Sequence, residues 1–289
     1  MKRKINLALI GNGEWGQNYI NTIKDLKGIT LPEKYIKTTN YKKLFKETGI
    51  DGVIIASPTH THFKIARNLI KRGFNILIEK PLTKNYKEAC SLLSLSKNYK
   101  NKIIMVGHIQ IYDPAYQRMK EYIKKVGLVK KISFEGLQST PRNDIGPLED
   151  WGPHPIYLFL DLIKHKPQKV SVSKGPYDNI NIEFIFPKNI KASAKIGFFS
   201  PKKKRILTIK GSEGLLKLDW TKKRKTLTFK GKSNKEIKIK FSDKYSPLAM
   251  QILEFTNCLK KKHNPKSGIK EGFLVMEIIE EIKKKMTKS

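Results

Sequence analysis

A glycine-rich loop near the beginning of the chain restricts its fold more than any other sequence feature. Gly11, Gly13 and Gly16 follow the spacing G-x-G-x-x-G between an apolar segment, residues 4–10, and a helical segment, about residues 17–26. In this order the first glycine permits a tight turn, the second admits the backbone close to a pyrophosphate, and the third lets the helix pack against the strand. The N–H groups of the helix N-terminus then face the phosphates. The loop predicts a Rossmann-type dinucleotide-binding domain.

Strand and helix patterns alternate after this loop. The apolar run at residues 52–56 predicts a strand buried on both faces. Runs at 75–78 and 102–106 predict further strands, with helical patterns between them. This order is typical of an α/β fold with a parallel sheet. After about residue 129 strands predominate, and several alternate apolar residues with lysine or threonine. That pattern predicts an antiparallel or mixed sheet with one wetter face.

The pattern change predicts two domains. We expect a Rossmann-type parallel-sheet domain at residues 1–115, shortened around residues 27–40. An α+β domain with a large, mostly antiparallel sheet follows at residues 116–289, and two helices close the chain.

The segment of residues 27–40 is too short for the usual second strand and its crossover. Residues 28–31 and 35–38 could each form a strand, but the three residues between them cannot make a parallel crossover, which needs about a dozen. Either one strand is lost or the two form an antiparallel turn at the sheet edge. Glu33 is the carboxylate best placed for the ribose hydroxyls, although a solvated turn residue is the simpler interpretation. We expect an adenosine pocket that is open on this side.

The formal net charge of +34 invites a nucleic-acid interpretation. Only seven of the 59 basic residues are arginine, the residue that base and phosphate recognition favours. The lysines are spread along the whole chain, so solvated faces of a lysine-rich protein are the simpler explanation. A third explanation is that the positive field attracts an anionic small molecule such as a nucleotide-sugar. We expect no nucleic-acid partner.

The two cysteines, Cys90 and Cys258, lie far apart and fit neither a disulfide framework nor a metal-ligand spacing. No cluster of His, Cys and carboxylate residues in the sequence predicts a metal. No apolar run approaches the roughly 18 residues of a membrane span. The apolar residues 5–10 run directly into the glycine loop, which is typical of a strand and not of a signal peptide. We expect a cytoplasmic protein without a membrane partner.

Further motifs accompany the glycine loop. They are V-I-I-A-S-P-T-H-T-H at 53–62, I-E-K-P-L at 78–82, G-H-I-Q-I-Y-D-P at 107–114 and D-W-G-P-H at 150–154. With these motifs the chain resembles the Gfo/Idh/MocA family of sugar and polyol dehydrogenases over nearly its whole length. The Trp-Gly of the loop and the G-H-x-x-x-Y-x-P segment are most similar to members that act on nucleotide-sugars in surface-polysaccharide synthesis.

The resemblance implies three catalytic residues. Lys80, from E-K-P, would lie beside the nicotinamide and polarise the reacting hydroxyl. His154 would be the general base, just before or at the start of a helix at residues 156–163, where a helix N-terminus disfavours a protonated imidazole. Asp150 would orient Lys80 or His154, and its four-residue spacing from His154 puts both on one face if one helical turn holds them. Without the resemblance, Lys80 would be one solvated lysine among many.

The resemblance also implies binding residues. Those for the cofactor, NAD or NADP, are Gly11, Asn12, Gly13, Glu14, Trp15, Gly16, Ser57, Pro58, His62, Glu79 and Lys80. Those for the substrate, a sugar or nucleotide-sugar, are His108, Tyr112 and Tyr157. Tyr157 stands where the family often has an aspartate. Lys34 and Lys37 near the adenosine side predict that NADP is tolerated at least as well as NAD.

The function implied is an oxidoreductase that transfers hydride between nicotinamide and a secondary alcohol of a sugar, in a homo-oligomer. The alternative is a non-catalytic nucleotide- or sugar-binding or regulatory protein that kept the fold and lost tight cofactor binding through the shortened segment. Retention of Lys80, Asp150 and His154 favours the enzyme, because a drifted protein loses such residues first.

Overall fold

The computed structural model describes residues 3–38, 40–140, 145–221, 224–233 and 235–287. These residues divide into two compact units. The first unit comprises Met1–Ile109 with Tyr245–Glu277, and the second unit comprises Gln110–Lys244 with Ile278–Ser289.

The described residues contain strands and α-helices in the following order. The strands are β1 (Ile5–Ile10), β2 (Ile29–Thr30), β3 (Ile36–Lys37), β4 (Gly52–Ile55), β5 (Ile76–Glu79), β6 (Ile104–Gly107), β7 (Val129–Leu137), β8 (Lys169–Lys174), β9 (Ile180–Phe186), β10 (Ile190–Gly197), β11 (Lys204–Gly211), β12 (Gly214–Asp219), β13 (Thr226–Gly231) and β14 (Glu236–Lys238). The helices are α1 (Glu14–Lys24), α2 (Thr59–Lys71), α3 (Tyr86–Ser96), α4 (Pro114–Tyr122), α5 (Pro147–Trp151), α6 (Pro153–Ile163), α7 (Pro247–Lys261) and α8 (Ile269–Met286).

A parallel sheet with the order β2-β1-β4-β5-β6 runs through the first unit, and β3 also pairs with β1. Every residue of β4, β5 and β6 is buried, as expected for strands covered on both faces. The α/β Rossmann-type architecture predicted from the alternating pattern is confirmed.

The edge of this sheet beside β1 is one strand broken into two pieces. Ile5 pairs with Ile29 and Leu9 with Ile36, so β2 and β3 both run parallel to β1. The single 3₁₀ turn Glu33–Tyr35 takes up the surplus residues between them without reversing the chain. The antiparallel turn considered from the sequence is therefore wrong. As their short separation predicts, no crossover helix lies between the two described pieces.

The segment from the end of the chain packs against the same sheet. A Cβ atom on Gly52 at the start of β4 would lie 2.8 Å from the Phe255 ring of α7, so only glycine admits that helix so closely. Beyond α7, Met105 bridges to Gly268, and the Ser267 hydroxyl donates to the Val106 carbonyl at 2.7 Å. These contacts fix the return of the chain beside β6.

The second unit contains an eight-stranded sheet in the order β14-β13-β12-β11-β7-β10-β9-β8. Its pairs are antiparallel except β7 with β10, which confirms the large, mostly antiparallel sheet. Alternate residues of β9 are buried, and its Phe184 meets Phe159 of α6 edge-on with ring centroids 5.6 Å apart. Burying each such side chain contributes roughly 2–3 kcal/mol.

Among the described residues, no helix combines the length and the apolar character needed to cross a membrane.

Candidate active site

The three glycines of the loop have different surroundings. Gly11 has a φ of +103°, and a Cβ atom there would lie 2.4 Å from the Ala56 carbonyl oxygen. A Cβ atom on Gly16 would lie 2.1 Å from the Gly11 carbonyl oxygen, whereas one on Gly13 meets no described atom within 4 Å. The first and third glycines therefore serve close packing, and the second faces open space, as the motif predicts.

The N-terminus of α1 is free to bind an anion. Gly13 is the N-cap residue of α1 and, having no side chain, makes no capping hydrogen bond to the first turn. Such N–H groups and the helix dipole favour a phosphate. Together with the open side of Gly13, this arrangement fits the pyrophosphate of a dinucleotide.

The edge strand ends next to this loop. The Gly11 N–H donates to the Lys37 carbonyl at 2.8 Å, so Lys37 closes β3 at the carboxyl edge of the sheet. Glu33 lies exposed in the 3₁₀ turn before β3, four residues from that end. The position where a ribose-binding carboxylate is usual thus holds a lysine. The structure gives no support to Glu33 as the ribose ligand, because the turn sets it back from the strand end.

His62 connects the ends of β4 and β5. Its Nε2 lies 2.8 Å from the Ser57 carbonyl and its Nδ1 lies 2.9 Å from the Pro81 carbonyl. The side chain is only 1% exposed, and burial lowers its pKa, although the carbonyl contacts oppose this. We infer that His62 holds the two loops in position. Ser57 itself shares a hydrogen bond of 2.7 Å with the Thr61 hydroxyl at the start of α2, next to Pro58, the N-cap residue.

Glu79 at the end of β5 is the centre of a buried network. Its Oε1 accepts the Tyr19 hydroxyl at 2.5 Å, and Tyr19 in turn accepts Gln251 Nε2 at 2.7 Å. Trp15 also donates to Glu79, and Oε2 accepts the Lys80 N–H at 3.2 Å. Burial raises the pKa values of Glu79 and Tyr19. The network joins α1, β5 and α7 beneath Lys80.

His108 follows β6 and lies beside Lys80. Its side chain is 3% exposed. Burial, together with the positive charge of Lys80, lowers the pKa of His108 to about 3. The imidazole is therefore neutral at physiological pH. The first unit thus brings together Lys80, His108 and the Glu79 network at neighbouring strand ends.

Asp150 and His154 lie in nearly continuous helical backbone of the second unit. Gly152, between α5 and α6, has helical angles (φ −54°, ψ −40°), and α6 already begins at Pro153. The expected helix start at residue 156 is therefore wrong. Proline fits the first turn because its missing N–H has no partner there anyway. Asp150 and His154, four residues apart, share one helix face.

Aromatic and charged residues surround this helix face. The rings of Trp151 and His154 have centroids 5.7 Å apart, and the Arg205 guanidinium lies 4.8 Å from the Trp151 ring centroid. Burial lowers the pKa of Arg205, and the charge of Asp150 opposes that shift. Arg205 Nε is buried without a hydrogen-bond partner in the described part of the chain. Arg205 was not predictable as a site residue from the sequence, because a lone arginine in a strand belongs to no motif.

The predicted substrate residues of the second unit are buried. Tyr112 is 5% exposed and Tyr157 is 4% exposed. Next to Tyr112, Asp113 caps α4 through Ala115 N–H, and its Oδ2 accepts both Trp220 Nε1 and Lys225 Nζ at 2.9 Å. The motif around Tyr112 therefore also organises the core of this unit.

The part of the chain that the structure describes contains a group of possible metal ligands that the sequence did not predict. Glu254, Cys258 and His263 place a carboxylate oxygen, a sulfur and a ring nitrogen within 4.8 Å of one another. The spacing concealed the group, because His263 lies beyond the end of α7.

A family model described as an oxidoreductase family with an NAD-binding Rossmann fold, Gfo/Idh/MocA, matches residues 30–108. Residues 30–108, all within the first unit, are therefore similar to the Gfo/Idh/MocA oxidoreductase family. This match confirms the resemblance stated from the motifs, and the first unit carries a Rossmann fold of the type that binds NAD or NADP.

Two curated relatives are similar over part of the chain. Scyllo-inositol 2-dehydrogenase (NAD(+)) of Bacillus subtilis is 30% identical over 183 residues, 57% of this chain and 52% of that protein. UDP-N-acetylglucosamine 3-dehydrogenase of Acidithiobacillus ferrooxidans is 35% identical over 123 residues, 42% of this chain and 38% of that protein. The chain therefore aligns with about half or less of each relative's length.

Solved structures are similar over nearly the whole chain. The structure of that UDP-N-acetylglucosamine 3-dehydrogenase has a TM-score of 0.84 at 19% identity and covers 98% of this chain and 97% of its own. An aldose-aldose oxidoreductase from Caulobacter crescentus has a TM-score of 0.88 at 14% identity, covering 99% and 98%. These likenesses show the two-part fold.

Proposed function

We propose that this protein is an NAD(P)-dependent dehydrogenase that transfers hydride between nicotinamide and a secondary alcohol of a sugar or polyol. The observation that carries the proposal is the glycine loop. Gly11 and Gly16 are enclosed by backbone, while Gly13 opens beside the uncapped N-terminus of α1. A structural turn needs no such opening, whereas a bound pyrophosphate does.

Each catalytic residue has a distinct role in this proposal. The nicotinamide, when bound, takes up or delivers the hydride. Lys80 polarises the reacting oxygen and stabilises alkoxide character with its ammonium charge. His154 accepts the hydroxyl proton during oxidation and returns it during reduction. Asp150 orients Lys80 or His154, and its carboxylate offsets their positive charge. The neutral His108 beside Lys80 adds no competing charge.

We propose an anionic substrate, a nucleotide-sugar. The 35% identical relative is named for UDP-N-acetylglucosamine, which supports this class. Within the second unit, the half-buried side chain of Arg205 adjoins the Asp150 helix face, and arginine matches phosphate geometry. The net charge of +34 favours attraction of such an anion.

We also propose that NADP binds at least as tightly as NAD. Lys37 ends the edge strand where a carboxylate would repel the 2′-phosphate of NADP. Lys37→Glu should therefore weaken NADPH binding by more than tenfold, roughly the effect of 1.4 kcal/mol. Lys34→Glu is the matched control, since Lys34 lies in the preceding turn and pairs with Glu47 at 3.6 Å. Equal effects of the two substitutions, or a strong NAD preference of the unsubstituted chain, would contradict this assignment.

The function is tested by titrating NADH and NADPH against the chain and following nicotinamide fluorescence. We expect saturable binding, followed by turnover with UDP-N-acetylglucosamine or an inositol. Absence of any signal at millimolar cofactor would refute the dehydrogenase. Binding without turnover on a panel of sugars and nucleotide-sugars would favour the non-catalytic alternative.

A further inference from the structure

A cluster of three unlike ligand groups lies at the C-terminal end of α7. Glu254 and Cys258 are four residues apart, so they lie on one face of the helix. Lys262 ends the helix with a φ of 52°, in the left-handed region, and this turn brings His263 back over the same face. The ligand atoms of the three residues all lie within 4.8 Å of one another.

The separation of the sulfur and nitrogen atoms fits a tetrahedral metal centre. Cys258 Sγ lies 3.5 Å from His263 Nε2. A tetrahedral Zn²⁺ ion with Zn–S of about 2.3 Å and Zn–N of about 2.0 Å separates those ligand atoms by about 3.5 Å. The thiol and the imidazole already have this separation, so both can contact one ion where they lie. A Glu254 carboxylate oxygen lies within 4.8 Å of both atoms and supplies the third ligand.

The burial of the three ligands is graded from the interior to the solvent. Cys258 is fully buried, Glu254 is half-buried and His263 is exposed. The sulfur therefore lies on the buried side of the cluster, and an ion can enter from solvent on the side of the imidazole. Three protein ligands would leave the fourth tetrahedral position of an ion to water.

The chemistry of the ligands favours zinc over the hard cations. Coordination forms a metal–sulfur bond, breaks the S–H bond and releases the proton to solvent. Thiolate and imidazole are ligands that Zn²⁺ favours, whereas Mg²⁺ and Ca²⁺ prefer oxygen ligands.

Within the first unit, the cluster and the glycine loop lie at opposite edges of the parallel sheet. A Cβ atom on Gly52 would lie 3.1 Å from the Leu259 side chain, which places the end of α7 at the amino end of β4. The glycine loop and Lys80 lie at the carboxyl ends of the strands, at the opposite edge. An ion here serves structure and not hydride chemistry.

We propose that Glu254, Cys258 and His263 form a structural Zn²⁺ site that fixes the end of α7 to the following segment. That segment leads to Ser267, whose hydroxyl binds the Val106 carbonyl of β6. The ion would thereby hold the return of the chain to the sheet.

The test measures binding of the metal alone to the full chain. Zn²⁺ added to metal-free protein should bind at one equivalent and raise Tm by roughly 5 °C at hundredfold excess over its Kd. Co²⁺ in its place should give a sulfur-to-cobalt charge-transfer absorption.

His263→Gln should weaken Zn²⁺ binding more than tenfold and leave the metal-free Tm unchanged, because His263 is exposed. His165→Gln is the matched control, since His165 is also exposed and also follows a left-handed residue at a helix end. Cys258→Ser should abolish the charge-transfer absorption, and Cys90→Ser should keep it. Absence of stoichiometric binding, or binding that His263→Gln leaves unaltered, overturns the proposal whatever the enzyme's activity.

Discussion

Acidification from pH 7 to pH 5 should destabilise the protein through His108. The folded pKa of this side chain is about 3 and its ordinary value is 6.5, because burial and the Lys80 charge disfavour the imidazolium. The unfolded chain therefore binds a proton that the folded chain excludes. The stabilisation is present in full above about pH 6.5 and is lost progressively as the pH falls below that value toward 3.

The magnitude follows from the two pKa values. Each unit of difference corresponds to about 1.4 kcal/mol, so the full effect reaches about 5 kcal/mol near pH 3. Between pH 7 and pH 5 the loss is about 2 kcal/mol. Glu79 opposes it, since a raised carboxyl pKa favours the folded state as the pH falls.

The comparison with His108→Gln isolates the His108 contribution, since Gln cannot titrate and the other groups are shared. Urea unfolding at pH 7, 6 and 5 should show a steeper loss of free energy in the unsubstituted chain, by about 2 kcal/mol at pH 5. Proton NMR offers a direct readout, because the His108 ring resonances should not shift above pH 4. Parallel pH profiles of the two proteins, or titration of all six histidines near pH 6.5, would refute the reasoning.

Other substitutions test single contacts. Gly13→Ser should keep Tm, because serine is a good N-cap residue with open space around it, and should weaken NADPH binding more than roughly tenfold in fluorescence titrations. Gly16→Ala should lose about 1–3 kcal/mol in urea unfolding, because its Cβ would lie 2.1 Å from a backbone carbonyl. Lys80→Met and His154→Asn should each lower kcat by at least about 100-fold with Tm near wild type; a large fall in Tm would indicate structural roles instead. Asp113→Asn should lose about 3 kcal/mol, because it leaves a largely buried lysine without its ion pair, and equal unfolding midpoints would contradict this.

The glycine loop and the alternating strands were predictable because their signals are local. The sequence order of apolar strand, glycines and helix determines where the loop forms. The parallel direction of β3 was not predictable, because the pattern of apolar residues does not indicate whether the short turn before it reverses the chain. Likewise, the early start of α6 was missed because proline marks both a helix end and a helix first turn.

Contacts between distant residues account for most of what the sequence did not reveal. Tyr19 and Gln251 are 232 residues apart, and neither belongs to a motif. Arg205 reaches the Asp150 helix face only through the pairing of β11 with β7. His263 joins Cys258 only through the left-handed turn at Lys262. These pairings depend on tertiary packing, which residue spacing alone does not encode.

The broken edge strand also affects how the sheet meets other polypeptides. A long, regular edge offers unpaired N–H and C=O groups in register, and another chain can add to it as a further strand. Here two short pieces are separated by Pro32, which has no N–H, and by a 3₁₀ turn that bends the backbone away. No incoming strand can keep its register past that break. The shortening that removed the usual crossover therefore also protects this edge against aggregation.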